Sequence, residues 1–256
     1  MNRLGEKIID KYGVEMEIVY YKGCRNIKVR FNDEYGAIVD SRYDCFVNKN
    51  IRNPYRKSFY GVGYLGEGEY TRTFNTANNR KIMDCWSNML GRCYSEEQRY
   101  KNPTYEDCTV CEEWHNFQNF AKWYEENYYE IDEPLFLDKD ILVKGNKVYS
   151  PQTCVFVPRL INNLFTKSQS TRGDYPIGVK PYHNNENKFI AIISETHRYG
   201  NTIRKHLGIC DTIEDTFILY KTKKESLIKE IANEYKQDIP LILYIALCNY
   251  KVEITD

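Results

Sequence analysis

The chain has 256 residues, of which 28% are charged, and its 36 lysines and arginines are balanced by 36 aspartates and glutamates. This length is sufficient to bury one large hydrophobic core or two or three small ones. A formal net charge of zero excludes bulk electrostatic attraction to a polyanion, so a nucleic-acid site would have to be a local basic patch.

The cysteines and the apolar runs indicate the compartment. Nine cysteines without regular spacing predict free thiols in a reducing environment and not a disulfide scaffold. The N-terminal residues MNRLGEKIIDKYG contain no apolar run of signal-peptide length, and no apolar stretch elsewhere is long enough to span a membrane. We therefore expect a cytoplasmic protein with no membrane partner.

Tyrosine is unusually common, with 23 residues. Its apolar ring and hydrogen-bonding hydroxyl suit half-buried surfaces and stacking on bases. An AT-rich coding sequence explains the same excess, so the count by itself favours neither interpretation.

The N-terminal segment, residues 1–75, is predicted to be a small β module followed by a connector. Three short stretches, VEMEIVYY, NIKVRF and GAIVDSRY, are each bounded by glycine, asparagine or aspartate, which predicts an antiparallel barrel or meander. In the connector, Gly61, Gly63 and Gly66 match the G-x-G-x-x-G spacing of dinucleotide-binding loops. The residues after them do not begin an amphipathic helix, so we interpret these glycines as tight turns.

The central segment, residues 76–167, is predicted to contain helices and a β-hairpin. RKIMDCWSNMLGRCY and CEEWHNFQNFAKWYEENYY have apolar residues at helical spacing, and the aromatic stripe of the second is typical of a core face. Residues 137–158 then predict two strands joined by VKGNKVYS. RLINNLF follows as a short helix that contains Asn162 and Asn163.

The C-terminal segment, residues 171–256, is predicted to be a three-stranded sheet with one long helix. YPIGVKPY, NKFIAIIS and TIRKHLGIC predict the strands, and Thr212 with Asp215 approximates a capping box at the start of the helix. The apolar tail IPLILYIALCNYKVEITD is expected to dock back on the fold. The predicted class is therefore a multidomain α+β protein.

Four motifs resemble a group of phage and mobile-element proteins related to HNH nucleases. They are WSNMLGRC at residues 86–93, VCEEWHNF at 110–117, LDKD at 137–140 and YSPQTC at 149–154. The resemblance implies a hairpin-and-helix nuclease in which Mg²⁺ or Mn²⁺ neutralises the scissile phosphate and a base, normally histidine, activates water. On this hypothesis Asp138 and Asp140 hold the metal with Asn162, Asn163 assists catalysis, and Lys139 contacts the phosphate.

The sequence departs from that family at the residue that would act as the catalytic base. Lys139 stands where the family has its histidine, and residues 129–170 contain no histidine. A lysine at its reference pKa near 10.4 is protonated, so it binds phosphate and does not act as a base. His115, on the aromatic helix, is the candidate substitute, although a lone helix histidine is more often structural. The alternative interpretation is a salt-linked hairpin in which Lys139 pairs with carboxylates and Gly145 with Asn146 makes the turn.

Zinc is the other metal considered from the sequence. The cysteines of this region are Cys85, Cys93, Cys108, Cys111 and Cys154. Two of them form a single C-x-x-C pair, whereas a strong zinc signature contains two such pairs. Structural zinc is therefore not expected, and thiols packed as small apolar groups are the default.

The C-terminal segment resembles the ethylene-response-factor type of DNA-binding domain, in which three strands pack on one helix. The matching stretches are IGV at residues 177–179, KFIAII at 188–193 and HLGICDTIEDTFILYK at 206–221, with Thr216 and Leu219 in place of small residues. The resemblance implies that the sheet lies in the major groove of double-stranded DNA. Basic side chains gathered on a sheet are the electrostatic mark of phosphate contact. The expected DNA-binding residues are Lys180, Lys188, Arg198, Arg204 and Lys205.

One strand argues against that interface. Both alternating faces of NKFIAIIS are apolar, which indicates that the outer face is partly covered and does not enter a groove. A solvated basic surface on a small α+β domain is then the alternative.

Together the motifs predict a DNA-binding protein of phage or mobile-element type in a bacterial host cell. The enzymatic hypothesis is a divalent-metal-dependent, homing-type HNH endonuclease. The alternative is a catalytically inactive protein that binds DNA or a host protein, as a regulator or an anti-defence factor. Loss of the histidine favours the inactive binder, and the retained carboxylates and asparagines favour the nuclease.

Overall fold

The computed structural model describes residues 2–70, 77–166, 174–183, 185 and 187–256. The chain forms two compact units, Met1–Glu126 with Val148–Ser150 and Asn127–Lys147 with Pro151–Asp256. Both units contain helices and strands, which confirms the α+β class. The division into three segments stays a prediction, and its borders at residues 75–76 and 167–171 lie outside the described residues.

A four-stranded antiparallel sheet begins the first unit, with its strands adjacent in chain order. The strands are β1 (Lys7–Ile9), β2 (Glu15–Gly23), β3 (Asn26–Phe31) and β4 (Ile38–Ser41). Alternate residues of β2 and β3, among them Ile18 and Val29, are buried because successive side chains of a strand point to opposite faces. The predicted meander is confirmed, while β1 and the short helix α1 (Tyr43–Val47) were not predicted.

The glycine-rich connector makes turns, as predicted. Gly61 and Gly66 have positive φ angles of 77° and 70°, a conformation that glycine adopts without steric cost. Gly63 lies against helix α2 (Ala77–Tyr94), where an added Cβ would overlap the side chains of Leu90 and Trp86. This stretch therefore provides turns and one close packing contact.

Helices and one small sheet complete the first unit. Its elements are α2 (Ala77–Tyr94), α3 (Glu96–Lys101), two 3-10 helices (Pro103–Tyr105 and Glu112–His115), α4 (Phe117–Asn127), and β5 (Thr109–Val110) paired in parallel with β7 (Val148–Tyr149). The predicted aromatic stripe is buried, and Trp86 Nε1 donates a 2.7 Å hydrogen bond to the carbonyl oxygen of Trp114. The second predicted helix is shorter than expected, because its first residues form a 3-10 helix.

A two-stranded hairpin begins the second unit. Strand β6 (Leu135–Asp138) pairs antiparallel with β8 (Val155–Pro158), and α5 (Arg159–Leu164) follows directly. This confirms the two strands and the short helix predicted from residues 137–158 onwards. The intervening β7 belongs to the first unit, so the segment that joins the two strands is more than a simple turn.

A three-stranded antiparallel sheet with one long helix forms most of the second unit, as predicted. Strands β9 (Val179–Pro181), β10 (Phe189–Glu195) and β11 (Ile203–Cys210) lie in the order β11-β10-β9. Helix α6 (Ile213–Glu234) begins at Thr212, whose hydroxyl accepts a 3.1 Å bond from the backbone N–H of Asp215. Helix α7 (Leu241–Asn249) buries Leu243 and Leu247 in the same core, which confirms that the tail docks on the fold.

Two glycines allow α6 to lie close to this sheet. Gly178 has a φ of 80°, and an added Cβ would overlap the ring of Tyr220 on α6. A Cβ at Gly208 would lie 2.9 Å from Cδ1 of Leu219. One face of the sheet is therefore covered by α6, and the opposite face points away from this helix.

No helix in the ranges given above is long and apolar enough to cross a membrane.

Candidate functional site

The Asp138 carboxylate is bound to its own backbone turn. Its Oδ1 atom accepts hydrogen bonds of 2.9 Å from the N–H of Asp140 and 2.8 Å from the N–H of Ile141. Bonds of this kind stabilise the turn after β6, because they satisfy two backbone donors that leave the strand ladder. The sequence predicts that this carboxylate binds a metal ion.

Burial raises the pKa of Asp138 to about 6, and repulsion from the Asp140 carboxylate contributes to the rise. The two backbone N–H bonds and the Lys139 ammonium act in the opposite direction. Asp138 is therefore still mostly ionised at neutral pH.

Lys139 is buried, with 7% of its surface exposed, and its Nζ atom lies 3.0 Å from Oδ2 of Asp140. The turn that follows has a φ of 78° at Gly145, and the Asn146 side chain donates a 2.7 Å bond to the Lys139 carbonyl oxygen. These are the contacts expected of the salt-linked hairpin. The buried ammonium of Lys139 lies beside Asp140, and its positive charge would repel a divalent cation bound there.

The two asparagines lie on α5, which packs against β6 and β8. Asn162 is half-buried and Asn163 is exposed, while Ile161 and Leu164 face the core. Among the described residues, no group of three histidine, cysteine, aspartate or glutamate side chains is arranged to hold a metal ion. One oxygen of each carboxylate, Oδ1 of Asp138 and Oδ2 of Asp140, is engaged by backbone N–H groups or by Lys139, and the predicted metal site stays a prediction.

His115 lies in the first unit, at the end of a 3-10 helix. Its Nε2 atom is 3.4 Å from the Tyr94 hydroxyl, and burial lowers its pKa. The histidine therefore has a structural partner within its own unit.

All nine cysteines are free thiols. Burial raises the pKa of Cys85 to about 12 and also raises that of Cys111, which keeps both thiols protonated. Cys93, Cys108 and Cys154 are buried, where a thiol packs as a small apolar group.

The register of the three-stranded sheet in the second unit determines which basic side chains point away from α6. Residues paired directly across an antiparallel sheet share a face. Ile190 pairs with Lys180 and Ile209, Ile192 with His206, and Ser194 with Arg204. Because Ala191 and Ile193 belong to the core under α6, this second set forms the opposite, outward face. The outward face is defined by Lys180, Ile190, Ile192, Ser194, Arg204, His206 and Ile209.

The outward face is basic at its edges and apolar at its centre. Lys180, Arg204 and His206 are exposed on the two edge strands. Ile190 lies between Lys180 and Ile209 and is only 8% exposed, which agrees with the apolar pattern noted in the sequence. The charge of this face is thus carried by the edge strands.

Lys205 points to the α6 side. It pairs with the buried carboxylate of Glu195, which also lies 3.1 Å from Nζ of Lys223 on α6. The hydrogen bond from Lys205 holds the pKa of Glu195 below its usual value, and Lys223 contributes in the same direction. Lys205 therefore neutralises a carboxylate of its own unit.

Arg198 lies in the loop between β10 and β11 and is directed at the end of α6. Its guanidinium pairs with Asp238 and lies 4.3 Å from the centroid of the Tyr235 ring, and its backbone N–H donates a 2.8 Å bond to Glu234. Lys188, before β10, lies 3.1 Å from Asp211. Of the five predicted DNA-binding residues, the structure thus places Lys180 and Arg204 on the outward face.

The sequence itself indicates that two of these residues, Arg204 and Lys205, face opposite sides of the sheet. Arg204 and Lys205 are consecutive in a strand, and consecutive side chains point to opposite faces, so only one of them was able to join a shared surface. The partners of Arg198 gave no such signal, because Asp238 lies 40 residues away.

Comparisons with protein-family models, with curated proteins and with solved structures give no match to this chain. The resemblances to HNH-related proteins and to the ethylene-response-factor domain therefore rest on the quoted motifs, and both stay predictions. What the chain does has to follow from the geometry and charge of its own residues.

Proposed function

We propose that this protein binds double-stranded DNA through the outward face of its C-terminal sheet and does not cleave it. The observation that carries the proposal is the placement of Lys180, Arg204 and His206 on the one face of the sheet that α6 leaves uncovered. Within the described part of the chain, neither Lys180 nor Arg204 has an acidic partner. Charges that are not neutralised internally are available to phosphates.

The spacing of the two cations suits a duplex. Lys180 and Arg204 lie on the two edge strands, which are two strand spacings, about 10 Å, apart across the sheet. Their register positions differ by four residues of β10, or about 13 Å along the strand. These two offsets place the Cα atoms of Lys180 and Arg204 about 16 Å apart, and their long side chains can reach phosphates on either side of a major groove about 12 Å wide.

Binding without cleavage is supported by the hairpin. Lys139 is engaged by Asp140, Asp138 is engaged by backbone N–H groups, and the predicted segment lacks the histidine that would activate water. The test is a plasmid-nicking assay with Mg²⁺ and with Mn²⁺ on the natural protein and on Asp138→Ala and Asp140→Ala. We expect no nicking. Nicking that both substitutions abolish would establish the nuclease instead.

Binding is tested by fluorescence anisotropy with a labelled duplex over a salt series from low to physiological ionic strength. The logarithm of the affinity is expected to fall linearly with the logarithm of the salt concentration. Lys180→Ala and Arg204→Ala should each weaken binding and reduce that slope by about one. Lys229→Ala, the same charge change at an exposed position of α6, is the matched control and should leave the slope unchanged. An affinity that does not depend on salt would contradict the proposal.

A host protein is the second candidate partner. The centre of the outward face is formed by Ile190, Ile192 and Ile209, and the last of these is 45% exposed. An apolar centre with a polar rim is the usual composition of a protein interface. Ile209→Ser separates the two partners, because it should weaken binding to a protein strongly and binding to phosphates little.

A further inference from the structure

Three loops of the first unit meet at one end of its four-stranded sheet. The antiparallel register pairs Met16, at the start of β2, with Phe31, at the end of β3, so the β1–β2 and β3–β4 loops lie at the same end. The connector after α1 joins them, because Asn53 Nδ2 donates a 2.6 Å hydrogen bond to Oδ2 of Asp33 in the β3–β4 loop. Loops that a rigid sheet positions in this way are where binding residues are concentrated.

Each of these loops carries a tyrosine two residues after an aspartate or asparagine. In all three, the Oδ1 atom of the first residue accepts a hydrogen bond from the backbone N–H of the tyrosine. The pairs are Asp10 with Tyr12 at 2.7 Å, Asp33 with Tyr35 at 3.0 Å, and Asn53 with Tyr55 at 2.9 Å. A side chain that bonds its own backbone two residues on forms an Asx turn, which fixes the direction of the chain. The same local turn therefore presents all three tyrosines.

The three tyrosine side chains line one cavity of about 140 Å³. The rings of Tyr35 and Tyr55 stack, with centroids 4.4 Å apart and an angle of 3° between their planes. Tyr12 and Tyr35 are 61% and 45% exposed. A cavity of about 150 Å³ is large enough for benzene, so this one accepts a group of about six heavy atoms.

The charged side chains around this cavity favour a cation. The carboxylates of Asp10, Asp33 and Glu34 line it, together with the guanidinium of Arg56. Arg56 forms no ion pair with a carboxylate in the described part of the chain, and its guanidinium lies over the Tyr12 ring. One ring of the cavity thus already binds a cation through its face, while the summed charge of the four groups is negative.

The Asp10 carboxylate is the counter-charge that a cationic ligand would meet. It is 7% exposed, and its Oδ1 atom accepts hydrogen bonds from the N–H groups of Tyr12 and Val14 at 2.7 and 2.9 Å. Its Oδ2 atom accepts none from the residues that the structure describes. A buried carboxylate is stabilised most by a charged donor, because that hydrogen bond is stronger than one to a neutral group. Oδ2 is therefore the natural acceptor for an N–H group of a ligand.

The rings decide which kind of cation fits. Among the described residues, no group of three histidine, cysteine, aspartate or glutamate side chains is arranged to hold a metal ion. Ring faces attract ammonium and guanidinium groups, and the apolar body of a ring packs against an alkyl chain. A primary alkylammonium ion suits both features, because its N–H groups donate to a carboxylate while its chain lies on the rings.

We propose that this cavity binds the primary ammonium head of an alkylamine, with the tyrosine rings against the chain and Oδ2 of Asp10 accepting a hydrogen bond from the nitrogen. The site lies within the first unit and is independent of DNA binding by the second. Free alkylamines and the lysine side chains of a partner protein present this same chemistry.

The experiment is an NMR titration of the full chain that follows the signals of n-butylammonium, with n-butanol as a neutral probe of the same length. Butylammonium should bind saturably, and butanol should bind at least about fivefold more weakly because it lacks the charge. Equal affinities would show that only the apolar chain is recognised and would overturn the proposal. Absence of butylammonium binding would overturn it as well.

A short peptide with a single lysine distinguishes the two sources of the ammonium group. Tighter binding of the peptide than of butylammonium supports a partner protein, and weaker binding supports a free amine. Either order is consistent with the site, provided that butylammonium itself binds.

Substitution of one ring tests the aromatic contact. Tyr35→Leu keeps an apolar side chain but has no π face, and it should weaken butylammonium binding by at least about fivefold. Tyr35→Phe retains the ring and should bind within about twofold of the natural protein. Tyr20→Leu is the matched control, because Tyr20 is 41% exposed on β2 and does not line the cavity. Equal losses in Tyr35→Leu and Tyr20→Leu would overturn the proposed contact.

A substitution that strengthens binding gives a test that unfolding does not imitate. Arg56→Gln removes a positive charge from the lining and uncovers the Tyr12 ring, so it should tighten butylammonium binding by about two- to tenfold. Glu34→Gln removes a negative charge from the same lining and should weaken binding. Unchanged or weaker binding in Arg56→Gln would contradict a cationic ligand.

Discussion

The Nζ atom of Lys139 lies 3.0 Å from Oδ2 of Asp140, so the cation in the middle of the LDKD motif faces a carboxylate of the same turn. Oδ1 of Asp138 accepts two backbone N–H groups beside it. The side chains of Lys139 and Asp140 thus pair with each other, and the Asp138 side chain accepts hydrogen bonds from the backbone. The motif has a structural role that does not need a metal ion.

Removal of the Asp138 side chain should destabilise the second unit. Asp138→Ala leaves the N–H groups of Asp140 and Ile141 without their acceptor, and we expect a loss of about 1–3 kcal/mol in the free energy of unfolding. Asp138→Asn keeps an oxygen that accepts the same bonds and should lose less. Urea unfolding of both variants measures the difference. Equal losses in the two variants would show that charge, and not hydrogen bonding, stabilises the turn.

Gly178 should be the glycine of the second unit that is least tolerant of alanine. Gly178→Ala combines a strained φ of 80° with an overlap against the Tyr220 ring, and we expect a loss of about 2–4 kcal/mol. Gly145 has a similar φ of 78° but no atom within 4 Å of an added Cβ. Gly145→Ala is therefore the control for strain alone and should lose about 1 kcal/mol. Similar melting temperatures for the two variants would contradict the close approach of α6 to β9.

Two buried tryptophans of the first unit should respond differently to phenylalanine. Trp86 Nε1 donates a 2.7 Å bond to the Trp114 carbonyl oxygen, whereas Nε1 of Trp114 has no acceptor among the described residues. Trp86→Phe leaves a buried carbonyl without its donor, and Trp114→Phe loses no hydrogen bond. We expect Trp86→Phe to be the more destabilising by about 1–2 kcal/mol in chemical unfolding. The opposite order would remove this bond as a determinant of the core.

The half-buried Lys224 should make the free energy of unfolding depend on pH in the alkaline range. Lys224 lies on the face of α6 that also carries the buried Tyr220 and Leu227, and burial lowers its pKa to about 8. Its unfolded value is near 10.4, so between these two pH values the unfolded state binds more protons and stability rises with pH. At pH 7 the charged side chain is a cost of folding. Lys224→Met should therefore raise the free energy of unfolding at pH 7 by about 1–3 kcal/mol.

The pH dependence of that gain is the sharper measurement. The stabilisation by Lys224→Met should shrink as the pH rises from 8 and should vanish near 10.4, where the unfolded lysine also loses its proton. Lys229→Met, at an exposed position of the same helix, controls for the change in charge and helix propensity. A constant gain across this pH range would show that hydrophobic packing, and not desolvation of the ammonium, is responsible.

Local patterns in the sequence were sufficient for the elements. The NIKVRF stretch forms β3 with the same bounds, since alternating apolar residues bury one face of a strand. Thr212 and Asp215 marked the start of α6, because a helix leaves its first N–H groups in need of an acceptor. The 3-10 helix before α4 was missed, since apolar spacing does not distinguish one turn type from another.

The candidate site was only half predictable, and one irregularity explains much of this. Between Ala191 and Ile192 the register of β10 against β11 shifts by one residue at a bulge. Without the bulge Lys205 would pair with Ser194 on the outward face, but in the structure Arg204 takes that position and Lys205 turns towards Glu195. The sequence by itself determined an α+β chain with basic residues gathered near its C-terminal strands. Only the tertiary structure decided which of those charges face outward, because their acidic partners Glu195, Asp211 and Asp238 lie 10, 23 and 40 residues away along the chain and a single bulge exchanges the two faces of a strand.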